Sequence, residues 1–374
     1  MTRIKPVDHV TSINSYDGVK PLELIAEELN IPAKRIIKLD GNENPYPPLP
    51  EVLATLGSLE NISFYPDMSS SNLIKTLAKT ENLEPKNYII GSGSDELIEL
   101  LIRAYASHSD TVLTYSPTFG MISFLTQVYG VNFEVISQKL VKQEIFARYI
   151  LDENLFMKAA KKAKIIFLAR PNNPDGQVLS EELIKNLISL PALVIIDEAY
   201  IEFSNFQSLA NWVPQYENLV VLRTFSKAYG LGGLRVGYGI MPNDIRNILM
   251  LIKQPYNVNI AGQKAAISAL SSPLVNERIE EIKKMKNWFI DQLISLQKHY
   301  KNFWIHPSEA CYVLLTFESS DTSKKLYELF YSKGILLRYY SSPEMANNIR
   351  ISIGLQKQME RVIEEFKLFL EGVN

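Results

Sequence analysis

The pattern that most constrains this chain is a repeated alternation of short, Ile- and Val-rich runs with longer amphipathic stretches. The runs are RIIKLD, NYIIGSG, TVLTYS, NFEVIS, KIIFLAR, ALVIID, LVVLRTFS and RVGYGIM. Between several of them lie segments such as SDELIELLIRAYA and SEELIKNLISL, whose apolar residues recur at helical spacing. Strands that are apolar along their whole length need cover on both faces, and helices between them supply it. The expected class is α/β, with a mostly parallel, doubly wound sheet.

After PYNVNIAG the texture changes. One long helical stretch is predicted from about Gln263 through Lys298, with the charges of NERIEEIKKMKN as its solvated face. ACYVLLTF follows, then a helical SKKLYELFYSKG, the strands ILLRYY and NIRISIG, and a terminal helix QKQMERVIEEFKLFLEG. At 374 residues the chain suits two or three domains. The expected division is an arm and helix over residues 1–40, packing on the small domain or on a partner. A large domain over 41–261 and a smaller α+β domain over 262–374 complete it.

A formal charge of -2 offers no general attraction to nucleic acid or an anionic membrane, so neither is an expected partner. No apolar stretch reaches the length of a membrane span, and MTRIKPVDHV has no apolar signal core. A cytoplasmic protein is the simplest reading. Cys311 is the sole cysteine and sits in an apolar run, which suits packing better than reactivity. His9, His108, His299 and His306 are scattered without metal-ligand spacing, so no metal is expected.

Four segments carry chemistry. In IIGSGSDELIELL a strand runs through a glycine turn into a helix that opens at Ser94 and Asp95. The free N–H groups of such a terminus bind a phosphate, although Ser94 or Asp95 as a plain helix cap explains the residues equally well. In KIIFLARPNNPDGQVLS, Asn173 lies at the carboxyl end of a strand, where open α/β sheets bind ligands. Asp197 ends the apolar run LVIID and needs a partner if buried. A protonated pyridine nitrogen is one such partner, with Tyr200 three residues on. Lys227 lies in TFSKAYGLGGLRVGYG, with Ser226 before it and Arg235 after a glycine-rich turn. An amine for a covalent link, a guanidinium and a hydroxyl for a phosphate, and an acid for a ring nitrogen are together the equipment for pyridoxal 5'-phosphate.

The motifs LDGNENPYPP, FYPD, GSGSDELIELL, YSPTFGM, RPNNPDG, VIIDEAY, RTFSKAYGLGGLRVGYG, QPYNVN and RISIG occur in order over nearly the whole chain. In this the chain resembles the fold type I pyridoxal-phosphate enzymes, and within them the histidinol-phosphate aminotransferases. The resemblance implies Lys227 as the cofactor-linking lysine, Asp197 as the ring-nitrogen partner, and Asn173 and Tyr200 at the ring oxygen. It implies the phosphate on the Ser94 and Asp95 amides with Ser226 and Arg235, and Phe119 stacked on the ring where the family more often has tyrosine. Tyr65 of FYPD is expected to reach the phosphate of a neighbouring subunit, hence a homodimer with shared sites. Tyr16, Asn42, Arg338 and Arg350 fall on the substrate side, with Arg350 expected to take a carboxylate and Arg338 a substrate phosphate. Asp175 stands where the family usually has threonine and is expected only to shape its turn. The implied reaction moves an amino group from glutamate to imidazole-acetol phosphate. A sister aminotransferase for aromatic or other phosphorylated amines, a threonine-phosphate-type decarboxylase, and a non-catalytic cofactor-binding module are the alternatives.

Overall fold

The computed structural model describes residues 4–13, 15–16 and 18–373; of the expected N-terminal arm, residues 1–3, 14 and 17 lie outside it. After a 3-10 turn at Asp8–Ser12 come α1 (Leu22–Leu29), β1 (Ile37–Leu39), α2 (Pro50–Gly57), α3 (Ser71–Glu81), β2 (Tyr88–Gly91) and α4 (Ser94–Tyr105). It continues through β3 (Thr111–Ser116), α5 (Met121–Val128), β4 (Asn132–Ser137), β5 (Lys139–Gln143), β6 (Phe146–Ile150) and α6 (Glu153–Ala160). Then come β7 (Ile165–Ala169), α7 (Glu181–Ile188), β8 (Leu193–Asp197), β9 (Leu219–Thr224), β10 (Gly237–Ile240) and α8 (Asn243–Ile252). The last part holds α9 (Ile260–Leu270), α10 (Leu274–Gln297), β11 (Phe303–Ile305), β12 (Tyr312–Phe317) and α11 (Ser320–Ser332). It closes with β13 (Ile335–Tyr339), β14 (Asn348–Ser352) and α12 (Gln356–Val373).

Seven strands form the central sheet in the order β2-β10-β9-β8-β7-β3-β4. Only β10 runs against its neighbours, so the sheet is mostly parallel as expected. Its apolar runs are continuous because both faces are covered. Ile166, Leu168, Val194 and Ile196 point into one core, while Ile165, Phe167, Leu193 and Ile195 point into the other. Helix α7 joins the first core through Leu183, Ile184 and Leu187, and α4 joins the second through Leu97, Ile98 and Leu101.

The register sets the functional edge. Ala169 pairs with Asp197, and Asp197 with Leu222, so β7, β8 and β9 end together. Gly237, the first residue of the reversed strand β10, pairs with both Gly91 and Thr224. Loops after β2, β3, β7, β8 and β9 therefore leave from one edge, the carboxyl edge where open parallel sheets take ligands.

A second sheet has the order β1-β13-β14-β12-β11-β6-β5. It is not built from the C-terminal segment alone, because β1, β5 and β6 come from residues 37–150. RIIKLD thus joins this sheet, through a parallel pairing of β1 with β13, and not the central one. The hairpin β5–β6 has no Asn-Gly turn to announce it. Glu144 takes the left-handed conformation (φ 49) in its two-residue loop, and β5 exposes much of its length. The helical stretch predicted from Gln263 through Lys298 is two helices, α9 and α10, separated at Ser271–Pro273. Pro273 has no N–H for the preceding turn and stands instead as the N-cap of α10. Helix α1 buries Ile25 against Leu336 of β13, with Tyr331 of α11 packed alongside. No helix among the described residues is long and apolar enough to cross a membrane.

Candidate active site

Helix α4 starts at Ser94 after Gly93, and no side chain caps its first turn. The reading of Ser94 or Asp95 as a simple cap is therefore not the one realised, and the N–H groups at this end remain open to a ligand. Glu96 instead turns back, its Oε2 accepting from the Ser92 N–H at 2.5 Å. Two glycines make the arrangement possible. Gly93 has φ 80, and a Cβ there would lie 2.6 Å from the Arg235 guanidinium; a Cβ on Gly237 would lie 2.3 Å from the Ser94 nitrogen. The helix terminus, β10 and Arg235 thus converge at a spot where a side chain would not fit.

Arg235 does not open β10. It sits two residues before it at φ 53, and this places its side chain back over the turn, with Nη2 donating to Asp95 Oδ2 at 2.9 Å. Ser226 is fixed from below: its N–H donates to Thr224 Oγ1 at 3.1 Å, and the two hydroxyls are 2.9 Å apart. A hydroxyl, a guanidinium and a bare helix terminus form the donor set that a dianionic phosphate requires.

Lys227 follows immediately. Its Nζ donates to the Gly41 carbonyl at 3.1 Å and lies 5.8 Å from the centre of the Tyr200 ring. Burial lowers its affinity for a proton, and the nearby Arg350 charge works in the same direction. Asn44 holds the backbone here, donating to the carbonyls of Lys227 and Ala228 at 3.1 and 3.0 Å. No local signal in the NENPY motif announces this anchoring role, because the partners of Asn44 lie 183 and 184 residues away.

Asp197 is 6% exposed, and the Ala199 N–H donates to its Oδ1 at 3.0 Å. Burial pushes its carboxyl up to about 7 against that hydrogen bond. An anion held at such a cost suits a site awaiting a cationic partner. Tyr200, on the same loop, accepts from Asn42 Nδ2 at 3.0 Å. Asn42 is itself locked at φ 51: its N–H donates to Ser352 Oγ, and that hydroxyl donates to the Asn42 side-chain oxygen.

Arg350 comes from β14 of the second sheet. Its Nη1 donates to the Asn173 side-chain oxygen at 2.6 Å and its Nη2 to the Asp40 carbonyl at 2.7 Å, while its buried Nε has no hydrogen-bond partner. Arg338 lies directly across the β13–β14 pair from it. The turn that carries Asn173 is held by Asp175. That buried carboxylate accepts from Asn172 Nδ2 at 2.8 Å and from Gln177 Nε2 at 2.5 Å, and burial raises it to about 6.

One cavity of ≈ 1280 Å³ gathers most of the expected residues. Tyr16, Asn42, Asp95, Phe119, Asn173, Tyr200, Lys227, Arg235, Arg338 and Arg350 all line it. Asp197, Ser94 and Ser226 are not among its lining residues; they lie on the strand end and the two turns just described. Tyr65 is not brought in. It is 81% exposed and stacks on Tyr256, with ring centres 4.6 Å apart. The cavity also takes Leu140, Tyr149 and Tyr340, residues for which sequence gave no signal, from the β5–β6 hairpin and the loop after β13. A second cavity of ≈ 1030 Å³, beside Arg148, Gln177 and Glu309, contains none of the expected residues.

Comparison with known proteins identifies the family. The family model for class I and II aminotransferases matches residues 34–366. The chloroplastic histidinol-phosphate aminotransferase of Nicotiana plumbaginifolia is 36% identical over 363 residues, covering 96% of this chain and 86% of the relative. The histidinol-phosphate aminotransferase of Roseiflexus castenholzii is 35% identical over 367 residues, covering 96% of each chain. Among solved structures, that of histidinol-phosphate aminotransferase from Sinorhizobium meliloti in complex with pyridoxal-5'-phosphate superposes with a TM-score of 0.85. It is 20% identical and covers 100% of this chain and 99% of that one, a likeness of fold. With a family match across most of its length and relatives of this identity and coverage, the chain belongs to the class I and II aminotransferases, and among them to the histidinol-phosphate aminotransferase family.

Proposed function

We propose that this chain is a pyridoxal 5'-phosphate-dependent aminotransferase that exchanges the amino group between glutamate and imidazole-acetol phosphate, yielding histidinol phosphate and 2-oxoglutarate. The observation that carries the reading is the meeting of Lys227, Asn173, Tyr200, Arg338 and Arg350 on one cavity at the carboxyl edge of the central sheet.

The residues fit the cofactor. Ser94, Asp95, Ser226 and Arg235 would hold its phosphate by two backbone amides, a hydroxyl and a guanidinium. Asp197 would face the ring nitrogen, Phe119 would stack on the ring, and the Asn173 amide and Tyr200 hydroxyl would serve the ring oxygen. When bound, the cofactor supplies a protonated heterocycle that takes up the electrons of a breaking C–H bond. Lys227 Nζ, whose proton affinity burial reduces, would remove the proton from the substrate Cα and deliver it to the cofactor carbon bonded to the substrate nitrogen, so that the amino group stays with the cofactor. Asp197 keeps the negative charge that favours a cationic ring. Asn42 holds the Tyr200 hydroxyl in place.

Arg350 would take the α-carboxylate of glutamate in a bidentate fork. Two of its nitrogens are already fixed by Asn173 and Asp40, so its plane is set before substrate arrives. Arg338, one strand over, would take the phosphate of the alternative substrate. One cavity then serves both half-reactions, and steady-state kinetics should be ping-pong.

A second copy of the chain is part of this reading. Tyr65 is exposed on a surface that also shows Ile62, Phe64 and Met68, an apolar strip unusual for a surface facing water. In a homodimer Tyr65 would contribute to the partner's phosphate site.

The test is a half-reaction screen with the loaded enzyme, following cofactor absorbance on adding glutamate, histidinol phosphate, phenylalanine or phosphothreonine singly. Conversion by glutamate and histidinol phosphate is expected. Conversion by phenylalanine in preference to histidinol phosphate would select an aromatic aminotransferase, and carbon dioxide release from phosphothreonine a decarboxylase. No conversion by any amine would leave only a binding module.

A further inference from the structure

The loop after α8 is tied to two separate places. Asn257 Nδ2 donates to Glu96 Oε2 at 2.6 Å, the same oxygen that accepts from the Ser92 N–H at 2.5 Å. On its other side, Lys253 Nζ donates to Asn257 Oδ1 at 2.6 Å and to the Met68 carbonyl at 3.1 Å. A continuous line of hydrogen bonds thus runs from the turn before α4, through Glu96, Asn257 and Lys253, to the segment that carries Tyr65.

The geometry around the line is equally tight. Lys253 is 9% exposed, so its ammonium is held by these two oxygens with little water to replace them. Tyr256, next to Asn257, takes φ 59, a left-handed conformation that costs a non-glycine residue about 1 kcal/mol or more. That conformation places its ring against Tyr65 at 4.6 Å and 25°. Gln263 Nε2 adds a further tie, donating to the Asp67 carbonyl at 3.1 Å, and Asp67 in turn accepts from the Ser69 and Ser71 amides. Nothing in these contacts touches the cavity itself.

We propose that Asn257 and Lys253 are positioning residues that couple two sites: Asn257 sets the phosphate-binding turn of its own subunit, and with Lys253 it sets the Tyr65 that the same subunit lends to its partner. This rests on the shared-site reading above. In each subunit the phosphate turn at residues 92–95 and the lent tyrosine then share one scaffold. Disturbing Asn257 reaches both sites of a dimer, whereas disturbing Lys253 alone reaches only the partner's.

The test uses hybrid dimers, made by co-expressing a tagged variant subunit with a differently tagged wild-type subunit. Each hybrid is stripped of cofactor and titrated with pyridoxal 5'-phosphate by absorbance. With one Asn257→Ala subunit, both sites should bind about 10-fold more weakly than wild type, the effect of losing one charge-assisted hydrogen bond at each. With one Lys253→Met subunit, which leaves the Asn257–Glu96 bond in place, one site should keep wild-type affinity and the other should weaken. A purely local structural role predicts a wild-type site in the Asn257→Ala hybrid, and that result would overturn the proposal. So would wild-type affinity at both sites of the Lys253→Met hybrid. The shared-site reading fails separately, if the Tyr65→Ala homodimer binds the cofactor as tightly as wild type.

Discussion

Asp197→Asn separates the stability of this protein from its chemistry. The carboxyl stands at about 7 in the folded chain against an ordinary 3.8, and burial is the main cause. Because the folded value lies above the unfolded one, the folded state binds more protons between those limits, and stability falls as pH rises through that window. At pH 8 the penalty is fully expressed and comes to about 4 kcal/mol, at 1.4 kcal/mol per tenfold change in proton affinity. Asparagine keeps the shape and an oxygen for the Ala199 N–H, but carries no charge to desolvate. In the cofactor-free protein the variant should therefore be more stable by up to about 4 kcal/mol at pH 8, and by well under half of that at pH 5, where the folded carboxyl is already protonated. Turnover should fall by about three orders of magnitude or more, since a neutral amide does not hold a ring nitrogen protonated. Urea unfolding of stripped protein at both pH values, at one protein concentration, measures the first effect. A variant destabilised at pH 8, or equally stabilised at pH 5 and 8, would refute the electrostatic reasoning.

Other substitutions probe other parts of the site. Arg350→Ala should raise the KM for glutamate by about 100-fold, the loss of a fixed bidentate ion pair, and affect histidinol phosphate much less because its amine carbon bears no carboxylate; equal losses in steady-state assays would show the arginine misassigned. Gly237→Ala pushes a Cβ to within 2.3 Å of the Ser94 nitrogen and must displace the start of α4. It should weaken cofactor binding at least 10-fold and lower stability by about 1–3 kcal/mol, read by absorbance titration and thermal unfolding.

How much of this was legible in the sequence differs from element to element. The central sheet was readable because strands covered on both faces leave continuous apolar runs, as in IIFLA and LVIID, where alternate residues feed opposite cores. Lys227, Asn173, Tyr200 and Arg350 could be named because motif order identifies them, and the cavity they share is a matter of strand register. The β5–β6 hairpin was not legible: it lacks a hairpin turn sequence, and its outer strand is exposed and carries little pattern. The break between α9 and α10 was signalled by Pro273, yet the helical periodicity on either side masked it. Pairings such as Arg350 with Asn173, or Asn42 with Ser352, span 177 and 310 residues. No local signal announces a partner at that distance; only the two sheets together bring them into reach.

The central claim is that Lys227 Nζ bonds covalently to the cofactor. Loaded enzyme reduced with borohydride, digested and weighed by mass spectrometry tests it directly. The cofactor's added mass is expected on the peptide containing Lys227, with that adduct lost in Lys227→Ala. An adduct on a different lysine, or a Lys227→Ala protein that still traps cofactor and turns over, would contradict it.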